Sequence, residues 1–286
     1  MIDRRMLMLG AGATLAFAGR GTGQGRADPF DAIVGDSGAR LGLAVHDTGN
    51  GRRLGVNTGE RFALCSTFKA PLAAAILARS GERQVDLTRP IRFSAADLLD
   101  HAPAVRAALP AGALSIEQLC AAAVTLSDNS AANLLLPQLG GPTGLTRFFR
   151  DQGDRFTRLD REEPALNIVR NGEVRDTTTP QAMAALLERI FAGNALSAVS
   201  RQKLLGWMVE SRTGLKRLRA GLPDDWVVGD KTGTSGEGYH NDIAVATPPG
   251  RKPIFIACYV DAPGLDAARA DAIHARIGSL IGTLFA

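Results

Sequence analysis

Cysteine is scarce: Cys65, Cys120 and Cys258 are the only three in 286 residues. Three thiols cannot build a disulfide framework, and none stands in the C-x-x-C spacing of a zinc or redox site. The four histidines, His46, His101, His240 and His274, lie far apart in the chain, which leaves no metal-ligand spacing; no metal and no cofactor are expected. No apolar run approaches the roughly 18 residues of a membrane span. Internal repeats and low-complexity tracts are likewise missing, and with 45% hydrophobic and 22% charged residues the composition is that of an ordinary globular protein rather than a disordered one.

The N-terminus differs from the rest. "MIDRRMLMLGAGATLAFAG" sets Arg4 and Arg5 before a Gly- and Ala-rich apolar run, and "GQGRADPF" offers a small-residue exit near Ala27. Residues 1–27 therefore read as an export signal, and the paired arginines before Met6, Leu7, Met8 and Leu9 resemble the twin-arginine type. An exported protein, periplasmic or secreted, with no membrane span after signal removal, is the expectation. Removing Arg4, Arg5, Arg20, Arg26 and Asp3 turns 33 Lys+Arg against 29 Asp+Glu into 29 against 28. Nucleic-acid binding, which rests on clustered basic residues, loses its electrostatic support.

Periodicity organises the remainder. "RLGLAVHDTGNGRRLGVN" alternates Leu41, Leu43 and Val45 before the turn residues Gly49, Asn50 and Gly51, a hairpin pattern. Helical spacing follows over 67–79, 115–124, 130–138, 142–150, 180–192 and 200–210. Strands return at "DWVVGDKTG", "NDIAVAT" and "PIFIACYV", and an amphipathic helix runs from about Asp266 to Leu284. Strands, helices, strands is the order of a two-domain α/β (α+β) fold: an antiparallel sheet flanked by N- and C-terminal helices, built from 28–60 and 211–286, with an all-helical domain, 61–210, inserted. Within the insertion, 158–176 has no clean period and several charges, the mark of a functional loop, and Arg161 and Asp176 are placed to clamp its ends as an ion pair.

"CSTFKAPLAAAILAR" puts a serine and a lysine, Ser66 and Lys69, at the head of a helix that otherwise reads as buried. A hydroxyl becomes a nucleophile when a base takes its proton, and a lysine does so only if burial or nearby positive charge lowers its pKa. Three residues of separation put both side chains on one helix face. The motif alone is weak, since Ser200 and Lys203 repeat the spacing in a polar helix, and an N-cap serine beside a snorkelling lysine explains either pair. "TLSDNSAANLLL" adds Ser127, Asp128 and Asn129 at a helix junction, where capping is the plain alternative. "VVGDKTGTSGEG" adds Lys231, Thr232 and Gly233 at the end of a Val-rich strand.

In this order, S-x-x-K, S-D-N and K-T-G resemble the motif set of class A β-lactamases and penicillin-binding proteins. "LDREEPALN" is similar to the class A loop pattern E-x-x-L-N, with Glu163 and Asn167 at its ends, and "RDTTTP" and "NDIAV" extend the likeness over essentially all of the mature chain. The resemblance implies a hydrolase of the β-lactam amide of penicillins and cephalosporins, acting as a monomer on a small-molecule substrate. It implies Ser66 as nucleophile, with the N–H groups of Ser66 and Thr234 as oxyanion hole. Ser127, helped by Lys69 and Lys231, passes a proton to the leaving nitrogen. Lys69 or Glu163 is the acylation base, and Glu163 with Asn167 directs the deacylating water. Asn129 holds the substrate side-chain amide, and Lys231, Thr232, Gly233 and Thr234 line its carboxylate site. Asn133 steadies the glutamate, and Glu163–Pro164 is a candidate cis peptide.

Glu163 separates the alternatives. Penicillin-binding transpeptidases, carboxypeptidases and sensors share the serine and lysines but not this carboxylate, and a non-catalytic relative is expected to have lost one of Ser66, Lys69, Glu163 or Lys231. The chain also departs from parts of the family. His240 stands where several members carry an arginine, so Arg217 is the expected carboxylate-binding arginine, with Arg219 its rival. Ser235 stands where carbapenem-hydrolysing members often pair a cysteine with the one at Cys65, and Ala73 stands where another subgroup pairs one with Cys120, so the resemblance implies three free thiols. His101 falls at the usual aromatic gate of the cleft.

Overall fold

A computed structural model describes residues 29–170 and 172–286; the export signal expected over 1–27 lies outside them. In chain order the elements are α1 (Asp31–Val34), β1 (Arg40–Asp47), β2 (Arg53–Val56), β3 (Phe62–Ala63), α2 (Lys69–Gly81), β4 (Pro90–Arg92), α3 (Pro103–Ala107), β5 (Ala113–Ser115), α4 (Ile116–Thr125), α5 (Asn129–Leu135) and α6 (Gly141–Asp151). Then come β6 (Thr177–Thr178), α7 (Pro180–Phe191), α8 (Ala198–Val209), α9 (Leu218–Gly221), β7 (Val227–Thr234), β8 (Tyr239–Thr247), β9 (Ile254–Asp261) and α10 (Ala267–Phe285).

One antiparallel sheet, ordered β2-β1-β9-β8-β7, carries the architecture. Successive strand residues face opposite sides. On β9, Phe255, Ala257 and Tyr259 enter one core with α2, α4, α5 and α7, while Ile254, Ile256, Cys258 and Val260 enter a second core with α9 and α10. Both faces are covered, which explains why "IFIAC" reads as an unbroken apolar run. The fold is the two-domain α/β arrangement that the element order predicts.

Three local expectations change. The inserted segment is not all helical: β3 pairs with β6 and β4 with β5. These strands of two and three residues are too short to display a period. The helix expected over 130–138 ends at Leu135 and tightens into a 3-10 turn over Leu136–Leu139, because Pro137 has no N–H to continue the ladder. The helix expected over 67–79 likewise opens with a 3-10 turn, Cys65–Phe68, before α2.

Candidate active site

α2 is enclosed on all sides, with every residue from Lys69 to Leu77 buried. An ammonium at its head needs polar partners, since isolated burial of a charge costs several kcal/mol. Lys69 Nζ finds four: Ser66 Oγ at 2.9 Å, the Ser127 carbonyl at 2.9 Å, Asn129 Oδ1 at 2.5 Å and Glu163 Oε1 at 3.0 Å. Burial nevertheless outweighs the attraction of Glu163 and holds the Lys69 pKa below the usual lysine value. The second S-x-x-K pair meets none of this: Lys203 reaches Glu117 instead, and Ser200 accepts from the α8 N-cap Ser197.

Ser127 joins the two lysines. Its backbone is left-handed, φ 56°, uncommon for a residue other than glycine. Its carbonyl accepts from Lys69, and its hydroxyl accepts from Lys231 Nζ at 2.9 Å. Lys231 is fully buried in β7, and burial, then the nearby Lys69 charge, lowers its pKa well below the ordinary value. Asp128 does cap a helix: Oδ1 accepts from Ala131 N of α5. Its Oδ2 also takes the Ala104 and Val105 N–H groups of α3, so it pins two segments at once. The Asn129 N–H donates to the His101 carbonyl at 2.9 Å, which sets exposed His101 beside this turn.

Loop 158–176 delivers the carboxylate. Glu163 is only 4% exposed, whereas Glu162 next to it is exposed. Asn133 grips the glutamate's backbone from both sides, donating to its carbonyl (2.9 Å) and accepting from its N–H (3.0 Å). Asn167 Nδ2 donates to Oε2 at 2.6 Å, and Ser66 Oγ lies 3.2 Å from Oε1. The Glu163–Pro164 peptide is cis. At the loop's neck, Arg161 Nε pairs with Asp176 Oδ2 at 2.6 Å, and Asp176 Oδ1 accepts from the Asp160 and Arg161 N–H groups.

Gly233 explains how β7 approaches the serine so closely. A β-carbon there would stand 3.0 Å from both Cys65 Cβ and Leu64 O and 3.2 Å from Ser66 N, tighter than ordinary packing tolerates. The strand thereby runs alongside the Ser66 backbone at Gly233. Behind it, Arg217 is 6% exposed; it donates to the Gly233 and Asn241 carbonyls and to Thr234 Oγ1 (2.7 Å), and pairs with Asp271 of α10 (2.8 Å). Arg219, its rival, turns away to buried Asp230. His240 lies beside Arg217, and burial and that charge lower its pKa.

Several neighbours carry no signal in the sequence. Thr213 accepts from Thr232 Oγ1 at 2.6 Å, Asp271 anchors Arg217, and Tyr239 reaches the loop. All three are brought in by tertiary pairing of distant segments, and no spacing rule points to them. The three thiols are free and buried, and burial pushes Cys65 up to about 12. Among the described residues no cluster of three or more His, Cys, Asp or Glu is placed to hold a metal ion, and no helix is long and apolar enough to cross a membrane.

A serine hydroxyl set between a buried amine and a buried carboxylate has the parts of an active-serine acyl-transfer enzyme. Residues 26–285 match the profile described as the β-lactamase enzyme family. The chain is 45% identical to the carbapenem-hydrolyzing β-lactamase KPC of Klebsiella oxytoca, over 89% of this chain and 87% of that one. It is 42% identical to β-lactamase L2 of Stenotrophomonas maltophilia, over 98% and 92%. Among solved structures, a β-lactamase of Xanthomonas campestris superposes with a TM-score of 0.87 at 46% identity, covering 90% of this chain and 96% of that one. An ancestral Gram-negative class A β-lactamase gives 0.86 at 52%, over 89% and 97%. The chain belongs to the β-lactamase enzyme family, as a class A serine β-lactamase that hydrolyses the β-lactam amide.

Proposed function

We propose that Ser66 is the nucleophile and Glu163 the deacylation base of a two-step hydrolysis of penicillins and cephalosporins. The observation that carries this reading is one oxygen, Ser66 Oγ, held 2.9 Å from Lys69 Nζ and 3.2 Å from Glu163 Oε1. In the first step Ser66 Oγ bonds to the lactam carbonyl carbon and gives its proton to Lys69, whose lowered pKa favours the free amine, or to Glu163 through a water. The oxyanion is received by the Ser66 and Thr234 N–H groups, each such donor worth roughly 2.7–4 kcal/mol. The C–N bond breaks, and Ser127 passes a proton to the departing nitrogen while drawing on Lys231 and Lys69. In the second step a water held by Glu163 and Asn167 loses its proton to the carboxylate, attacks the ester carbonyl and releases Ser66.

Substrate binding follows from the donors left over. Asn129 spends its oxygen on Lys69 and keeps its Nδ2 for the substrate's side-chain amide. Thr234 accepts from Arg217, which frees its own O–H for the substrate carboxylate; Lys231, Thr232 and Gly233 line the same site. Arg217 thus contributes charge from behind the strand. Asn133, Arg161 and Asp176 keep the loop in place. We assign the α/β domain to 28–60 and 211–286 and the helical domain to 61–210, the site lying at their seam. Export to the periplasm or medium fits the N-terminal pattern, and a monomer is the form proposed.

The decisive experiment compares the mature protein with Glu163→Ala on benzylpenicillin, following turnover by absorbance and the adduct by intact mass. Turnover by the parent, with an acyl-enzyme trapped only in the variant, is expected. A stable adduct on the parent would overturn the two-step hydrolysis.

A further inference from the structure

Tyr239 opens β8, immediately beyond the turn that follows K-T-G; the Ser235 N–H donates to its carbonyl and fixes its backbone to β7. Its hydroxyl leaves the sheet altogether. It donates to the Val169 carbonyl at 2.7 Å, in the outer half of the loop that carries Glu163, 70 positions earlier in the chain.

That half of the loop has little else to hold it. Ile168 and Val174 are 52% and 44% exposed, so neither anchors it by burial, and Leu166 is the last core residue before it. Beneath it lies a cavity of about 670 Å³, lined by Arg40, Arg61, Val169, Arg170, Tyr239 and Asp261, in place of packed side chains. Within the loop, Arg161 Nη2 takes the Ile168 carbonyl at 2.9 Å, the Glu173 N–H takes the Arg170 carbonyl at 2.9 Å, and the Glu173 carboxylate pairs with Arg175 and Arg161, all contacts of the loop with itself. Arg161 and Asp176 close the neck, but they belong to the loop itself. The Tyr239 hydroxyl ties its outer half to the sheet.

We infer that Tyr239 is a positioning residue for deacylation, a reading that rests on the role proposed for Glu163. Asn133 secures the glutamate's backbone, but its carboxylate is aimed by Asn167, which stands two residues before the tied carbonyl. With the tie gone, the chain beyond Asn167 keeps only the loop's own contacts, Arg161 on the Ile168 carbonyl among them, so Asn167 is held less firmly and orients the carboxylate less well. With Lys69 as the base that takes the Ser66 proton, acylation draws on Ser66, Lys69, Ser127 and Lys231, none of which Tyr239 touches, and the tie then acts on deacylation and not on acylation.

Tyr239→Phe keeps the ring and removes only the tie. Rapid-quench intact mass with benzylpenicillin measures acylation and deacylation separately, beside the parent and Glu163→Ala. The expected result is deacylation slowed about fivefold, the factor of one lost neutral hydrogen bond. Acylation stays within twofold, so kcat and KM fall together and kcat/KM holds. Backbone hydrogen exchange of the peptide spanning 166–175 quickens in the variant. Unchanged deacylation, or acylation and deacylation falling in parallel, overturns the inference. If Glu163→Ala deacylates like the parent, the failure lies instead in the role given to Glu163, and the inference falls with it.

Discussion

Asp176→Asn tests whether the neck of the loop is held by charge. Asp176 is fully buried at a left-handed φ of 55°, with one oxygen accepting two backbone N–H groups (2.7 and 3.0 Å) and the other accepting Arg161 Nε at 2.6 Å. Asparagine has almost the same shape but only one acceptor oxygen. Whichever way the amide turns, an NH₂ group faces an N–H donor. Breaking a buried pair costs roughly 3–5 kcal/mol. Arg161 is 22% exposed, and water recovers part of its solvation, so about 2–3 kcal/mol remains. At 1.4 kcal/mol per decade that is a factor of about 30–150 in favour of the open loop. Deacylation of a benzylpenicillin adduct should slow at least tenfold, while far-ultraviolet circular dichroism stays that of the parent. Adding Arg161→Ala to Asp176→Asn should cost little more, because the pair is already broken. Deacylation within twofold of the parent would refute the idea that this ion pair holds Glu163 in reach.

Two further outcomes follow from buried groups away from the reaction. His274 is fully buried, with its folded pKa at about 3 against 6.5 unfolded, chiefly from burial. Its neutral form is the one folding accommodates, so its contribution is complete above pH 6.5 and is lost as pH falls toward 3. At about 1.4 kcal/mol per unit, His274→Leu should gain roughly 2 kcal/mol on the parent between pH 7 and pH 5, read by urea unfolding at each pH; a constant difference would contradict this. The thiols of Cys65, Cys120 and Cys258 are buried and their pKa values raised, so native protein should react with less than one equivalent of a thiol reagent at pH 8 and denatured protein with three.

How much of this is legible in the chain depends on the range of the interaction. The nucleophile helix announces itself, because a lysine heading nine consecutive buried positions violates the usual rule for charge and calls for partners. Loop 158–176 is visible as a loss of period, and Arg161 and Asp176 as its clamp, since both are statements about neighbours in sequence. Arg217 could be singled out from Arg219 only by resemblance; its hold on Gly233, Asn241 and Asp271 is a product of strand pairing and of where α10 docks. The left-handed backbones of Cys65 and Ser127 had no glycine to advertise them. Pro137, by contrast, was a visible break in a helix that periodicity alone carried too far.

The pairing of β1 with β9 also has a temporal meaning. Arg40 and Asp261 lie opposite one another in the sheet, though 221 positions apart in the chain. Contacts of such separation form late, since the loop between them must first be closed. β9 lies between β1 and β8 in the sheet, so the early strands β1 and β2 and the late strands β7 and β8 are joined only through it. Ser66 and its helix come earlier in the chain than that joining strand, and β7, which brings Lys231 to the Ser127 hydroxyl, takes its place in the sheet only once β9 is there to bridge it to β1.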